Sequence, residues 1–223
     1  MLTSNSSQLA VAASLQSLIK NYTSGANVAG AAEEITAIIQ NEQASFLDRN
    51  SELTEWLEKN ESYSELADML FDLLMVQFLS AELHSEDYFD SPEWNDIENK
   101  TLDFGSEMLN LYLYLSEARE TEVEITLEDF LNEFLLVGED EFQDEYRIYE
   151  SLIVNEEILD ADLTEVREAK KTVKPETGLQ EYFVSLVLFF QLVEGAIDLA
   201  DVQKDLTPFE SAILNALLAF QEN

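Results

Sequence analysis

Two pairs of carboxylates carry the spacing of a divalent-cation site: Glu52-x-x-Glu55 and, a few residues on, Glu65-x-x-Asp68. Residues three apart share a face of a helix. Two such helices facing each other would converge four hard oxygen donors on Mg²⁺, which can hold phosphates and activate a water molecule for attack. Glu65, Asp68 and Asp72 also form a polar stripe on an otherwise apolar helix. Other chemistries find little support. The chain has no cysteine, which excludes disulfides and thiolate metal sites, and its one histidine, His84, stands in a loop without a nucleophile motif around it. There is no glycine-rich phosphate loop. Asp160, Asp162 and Thr164 begin like a calcium loop, but the glycine at its sixth position is missing and Lys171 stands where a bidentate Glu is needed.

The stretch "SELTEWLEKN…SELADMLFDLLM", within residues 51–75, resembles the helix pair of MazG-like all-α nucleotide pyrophosphatases. That resemblance implies Mg²⁺ held by Glu52, Glu55, Glu65 and Asp68, and hydrolysis of nucleoside triphosphates to monophosphates. This enzyme is the alternative to the reading that the charge favours, which requires no cofactor.

Charge is the anomaly of the composition: 47 Asp and Glu against 11 Lys and Arg, a net charge of −36. Such a field repels nucleic acid and anionic membranes and hastens encounter with basic proteins. Direct phosphate binding needs Lys and Arg clusters that this chain mostly lacks. From Glu117 to Glu165 eighteen carboxylates face only Arg119 and Arg147. Within that region "GEDEFQDEYRIYE" (138–150) puts Phe142, Tyr146, Tyr149 and Ile153 on one narrow helical stripe, so its acids fan around the polar arc instead of converging on a metal. Glu139, Asp140 and Glu141 suit a helix start after Gly138. Carboxylates four residues apart on a helix rise by about 6 Å, which lets an acidic face imitate a row of phosphates. The expectation is a non-enzymatic protein that binds a basic protein, a nuclease or other nucleic-acid-binding protein, as an inhibitor, immunity protein or DNA mimic does. Its binding face would comprise Glu128, Asp129, Glu133, Asp140, Glu141, Asp144, Glu145, Glu156 and Glu157. Arg167, Lys170, Lys171 and Lys174 form a lone basic stripe, expected to lie against the acidic segments before it.

The elements that must position these residues read as helices throughout. Six glycines and three prolines punctuate the chain, and apolar residues recur at helical spacing, as Val11, Leu15, Leu18 and Tyr22 do. Helix starts are marked by Ser62 with Glu65, Ser91 with Pro92, Thr126 with Asp129, and Thr207 with Pro208 and Glu210. A buried-looking helix spans 179–199; a scaffold or chaperone reading would instead make it an exposed apolar groove. The nearest thing to a strand is "EVEIT". "VQFLSAEL" (76–83) faintly echoes "FQLVEGAI" (190–197), which would fit two related halves. The expected architecture is an all-α bundle or array of roughly eight to ten helices in a single domain 1–223, with 1–120 and 121–223 as a weaker subdivision. No apolar run is long enough for a bilayer. The N-terminal stretch lacks a basic n-region, so a cytoplasmic protein without membrane contact is expected.

Overall fold

The computed structural model describes residues 4–22, 28–83, 86–135, 149, 152, 157–175 and 178–223. It is all-α, with eleven α-helices and no strand among the described residues. The first three are α1 (Ser4–Tyr22), α2 (Val28–Ile39) and α3 (Phe46–Lys59). A 3₁₀ segment, Glu61–Leu66, leads into α4 (Ala67–Gln77), which continues as a π turn, Phe78–Glu82. Next come α5 (Pro92–Thr101), α6 (Met108–Thr121) and α7 (Leu127–Leu135). The C-terminal part holds α8 (Leu163–Lys170), α9 (Phe183–Val193), the single turn α10 (Leu199–Val202) and α11 (Pro208–Glu222).

Two helices form the centre because they are apolar all round. Every residue of α4 from Met69 to Gln77 is buried, and so is every residue of α9 from Phe183 to Gln191. Around them, α1 lies along α11. Its small Ser14 and Ser17 let the backbones approach closely enough for their hydroxyls to donate to the carbonyls of Ala216 (3.0 Å) and Asn215 (2.9 Å). Ala10, Val11, Leu15, Leu18 and Ile19 of α1 are wholly buried, and buried residues from Ala10 to Phe220 form one cluster. The first and last helices thus share one core.

Three of the sequence's caps are present. Ser91 accepts from the Trp94 N–H with Pro92 in the first turn, Thr126 accepts from the Asp129 N–H, and Thr207 and Glu210 form a reciprocal capping box. The fourth is not: α4 starts at Ala67 without a side-chain cap, and Ser62 and Glu65 both lie inside the preceding 3₁₀ segment. The 179–199 segment does not run as one helix. Gly195, at φ +75°, ends α9, with the Ala196 N–H closing back on the Gln191 carbonyl (2.8 Å). The echo between 76–83 and 190–197 does not extend to conformation, since the first forms a π turn and the second a glycine-closed helix end.

Candidate functional site

The carboxylates singled out for a metal stand on different supports. Glu52 and Glu55 are exposed on the outer face of α3, and Glu55 pairs with Lys59 one turn on (3.4 Å). Glu65 accepts a hydrogen bond from the Tyr22 hydroxyl at 2.7 Å. Burial, aided by this carboxylate, pushes the Tyr22 phenol up to about 12. Glu65 and Tyr22 border an open cleft of about 670 Å³ that Lys170, Glu181 and Phe209 also line. With Glu210 it carries three carboxylates against one lysine, so its charge disfavours phosphates. Asp68 lies in the first turn of α4 and receives a backbone hydrogen bond from Gly105. Among the described residues no three His, Asp or Glu side chains are grouped to hold a metal ion.

The acid that the fold treats most unusually is one turn further along, at Asp72. An aspartate inside "MLFDLLMV" is carried into the core by its helix, and it is 0 % exposed. Both its oxygens are met by one residue: the Ser106 N–H donates to Oδ1 (2.9 Å) and the Ser106 hydroxyl to Oδ2 (2.6 Å). Ser106 belongs to the turn between α5 and α6, and its hydroxyl oxygen also accepts from the Met108 N–H (3.1 Å) at the start of α6. The turn comes this close because residue 105 is glycine at φ +91°; a Cβ there would stand 2.8 Å from Asp72 Oδ1. Burial disfavours the ionised form, and Asp68 and Glu107 add like charge. Together they outweigh the two Ser106 hydrogen bonds and raise the Asp72 carboxyl to about 8, so it is largely protonated at neutral pH.

Its surroundings follow the same pattern. Glu107 is raised by burial although Tyr149 (3.2 Å) and Asn110 (3.0 Å) both donate to it. Tyr182, its ring tilted 47° against Phe209 with centroids 5.6 Å apart, is held strongly neutral by burial and by Asp68 and Asp72. Tyr112, fully buried against Ser14 of α1 (3.0 Å), is held neutral in the same way. Sequence reading recognised Asp72 only as part of a polar stripe. The remaining signal was its position amid apolar neighbours on every side; Ser106, Glu107 and Tyr182 are too distant in sequence to be joined to it by spacing.

The acidic face is displayed where it can be followed. Glu128, Asp129 and Glu157 are exposed. Asp129 accepts from the Tyr114 hydroxyl (3.3 Å), and both it and Glu128 stand in the first turn of α7, where negative charge suits the helix dipole. Asp140, Glu141, Asp144, Glu145 and Glu156 lie outside the described residues, as do His84 and the Glu133 side chain. Glu117, Glu120, Glu122 and Glu124, in the same acidic region, are also exposed. They gather at the C-terminal end of α6, the wrong end for a carboxylate. Arg119, the one cation in α6, turns inward to the Phe220 carbonyl and lies 5.0 Å over the Phe220 ring. Glu122 also takes the left-handed conformation (φ +56°) to close the helix.

Two members of the basic stripe find partners other than the acidic segments before them, most of which lie outside the described residues. Arg167 reaches forward in the chain to α11, donating to the Asp205 carbonyl (2.7 Å) and to Glu210 (2.9 Å), while Lys171 pairs with Glu168 on its own helix. The reason is burial: Glu210 is 6 % exposed, and its carboxylate needs a counter-charge more than solvated acids do. The segment 183–191 is buried, so it offers no apolar groove. Fold and site together define an all-α protein with a buried acid at its centre, which no cation among the described residues pairs with, and displayed carboxylates at its rim. Compared with known proteins, the chain matches no family model, and no curated sequence or solved structure matches it significantly.

Proposed function

We propose that this protein binds a basic protein partner through its displayed carboxylates, in the manner of an inhibitor, immunity protein or DNA mimic. The observation that supports this reading best is the corner between α6 and α7. Glu117, Glu120, Glu122 and Glu124 occupy a helix end whose dipole disfavours them, and the neighbouring arginine is turned into the core. Local stability does not account for these acids, whereas a face that meets a cationic surface does. The corner passes directly into Glu128 and Asp129, the first described members of the acidic face inferred from the sequence.

The MazG-like alternative gains no comparable observation. Glu65 is engaged by Tyr22, Glu55 by Lys59, and the four acids are not grouped for an ion.

The test is capture from native lysate by wild type and by a variant with Glu117, Glu120, Glu124 and Glu128 all changed to Gln. A basic protein should be retained by the wild type, elute progressively between 0.1 and 1 M salt as screening shortens from about 10 to 3 Å, and be displaced by duplex DNA. Retention by the variant equal to wild type, or insensitive to salt, would refute the reading.

A further inference from the structure

We propose that Asp72 and Ser106 form a proton-held latch, which clamps the α5–α6 turn onto α4 while Asp72 is neutral and releases it when Asp72 ionises. This inference is independent of any partner. It begins from geometry: a side chain with no solvent exposure has both oxygens pinned to a single residue of a connecting turn. The same serine caps α6, so the clamp sets both the position of the turn and the start of the next helix. Gly105 is the hinge side of the clamp, since only a residue without Cβ fits at φ +91° against the carboxylate.

The groups that face Asp72 decide the direction of the switch. From α4 itself comes Asp68; from the turn, Glu107; from α6, Tyr112, tied to Ser14 of α1; from the segment before α9, Tyr182, beside Glu181. All are acids or neutral hydroxyls, and among the described residues no Lys, Arg or His acts on the carboxyl. An ionised Asp72 would keep its two Ser106 donors, but it would be an unpaired buried charge among carboxylates, and hydration is available only if the turn moves away. The proton leaves to solvent as the turn opens, and closing requires taking it back. Opening would also part Phe104, already 44 % exposed, from Phe71, whose ring centroid is 5.4 Å away, and so uncover apolar surface on α4.

Linkage then fixes the expected signal. Between the pKa of Asp72 in the open turn and its higher value in the closed one, the closed state loses up to tenfold in population relative to the open state per pH unit. The experiment is amide hydrogen exchange of the whole chain at pH 6 to 9, corrected for intrinsic exchange, read at Ser106 and Met108. Protection at these two amides should fall by up to tenfold per pH unit in the wild type and stay level in Asp72→Asn, whose amide reproduces the neutral acid. Ser106→Ala, which keeps the backbone donor, should lower protection at every pH and retain the slope. As a check that does not depend on any variant folding, carboxyl ¹³C titration of the wild type should place Asp72 well above the other aspartates. A slope in Asp72→Asn equal to wild type, or an Asp72 carboxyl titrating near 4, would overturn the latch.

Discussion

Replacing Glu122 by glycine should stabilise the protein by about 1 kcal/mol. Glu122 closes α6 at φ +56° and ψ +35°, with its N–H bonded to the Ala118 carbonyl, and this bond does not need the side chain. An L-residue held left-handed costs about 1–2 kcal/mol, which glycine removes. Taking a carboxylate from the C-terminal end of a helix returns roughly a further 0.3–1 kcal/mol at low salt. Against these, glycine adds freedom to the unfolded chain worth about 0.5–1 kcal/mol. The balance, about 1 kcal/mol, should raise Tm by roughly 2–4 °C in a chain of this size. Glu122→Gln separates the contributions: it keeps the backbone cost and should show only the charge gain, largely erased in 1 M salt where screening acts within about 3 Å. Thermal or urea denaturation at 0.02 and 1 M salt measures both. If Glu122→Gly proved less stable than wild type at low salt, or the Glu122→Gln gain persisted undiminished in 1 M salt, the account of this helix end would be wrong, and with it the argument that its acids are not there for stability.

Two further outcomes follow from the core. Gly105→Ala should destabilise by at least about 2 kcal/mol, because the new Cβ meets Asp72 Oδ1 at 2.8 Å and Phe71 at 3.1 Å in a backbone conformation that L-residues disfavour; urea denaturation at neutral pH would show it, and a neutral effect would mean that the turn does not pack as described. Arg167→Ala should cost about 1–2 kcal/mol at pH 7, discounted because the arginine is 37 % exposed. Burial alone would raise the Glu210 carboxyl, but the Thr207 N–H and the Arg167 hydrogen bond and charge hold it below its ordinary 4.5. A depressed carboxyl stabilises the folded state above its unfolded pKa, and that contribution is lost as pH falls through the folded value. The Arg167→Ala deficit should therefore be full at pH 7 and shrink below about pH 4.5; a deficit unchanged at pH 3 would mean that packing, not charge, is what Arg167 supplies.

Helical spacing alone determined that α1 buries Val11, Leu15 and Leu18, and capping residues marked the starts of α5, α7 and α11, because these signals are local to one turn of chain. Capping failed at Ser62 and Glu65 for a tertiary reason: Tyr22, forty-three residues away, takes the Glu65 carboxylate, and the chain there winds as 3₁₀. The apolar runs around residues 70 and 185 were legible as buried, but not as the two central helices. That role depends on what α1, α6 and α11 lay against them.

For the acids the division is sharper. Composition fixes the sign of the field, since 47 carboxylates among 223 residues are negative in any arrangement. It cannot say which acid faces water, because a carboxylate's environment is set by groups brought to it from elsewhere in the chain. Asp68 and Asp72 are one helical turn apart in the same stripe, yet one lies at the surface and the other is sealed by a serine thirty-four residues away. Likewise Arg119 stands alone among acids and Arg167 within a basic stripe, and only folding turns one onto an aromatic ring and the other onto a buried glutamate. Secondary structure and net charge are sums over local properties, which the sequence holds. Burial and pairing are relations between distant residues, and only packing creates them.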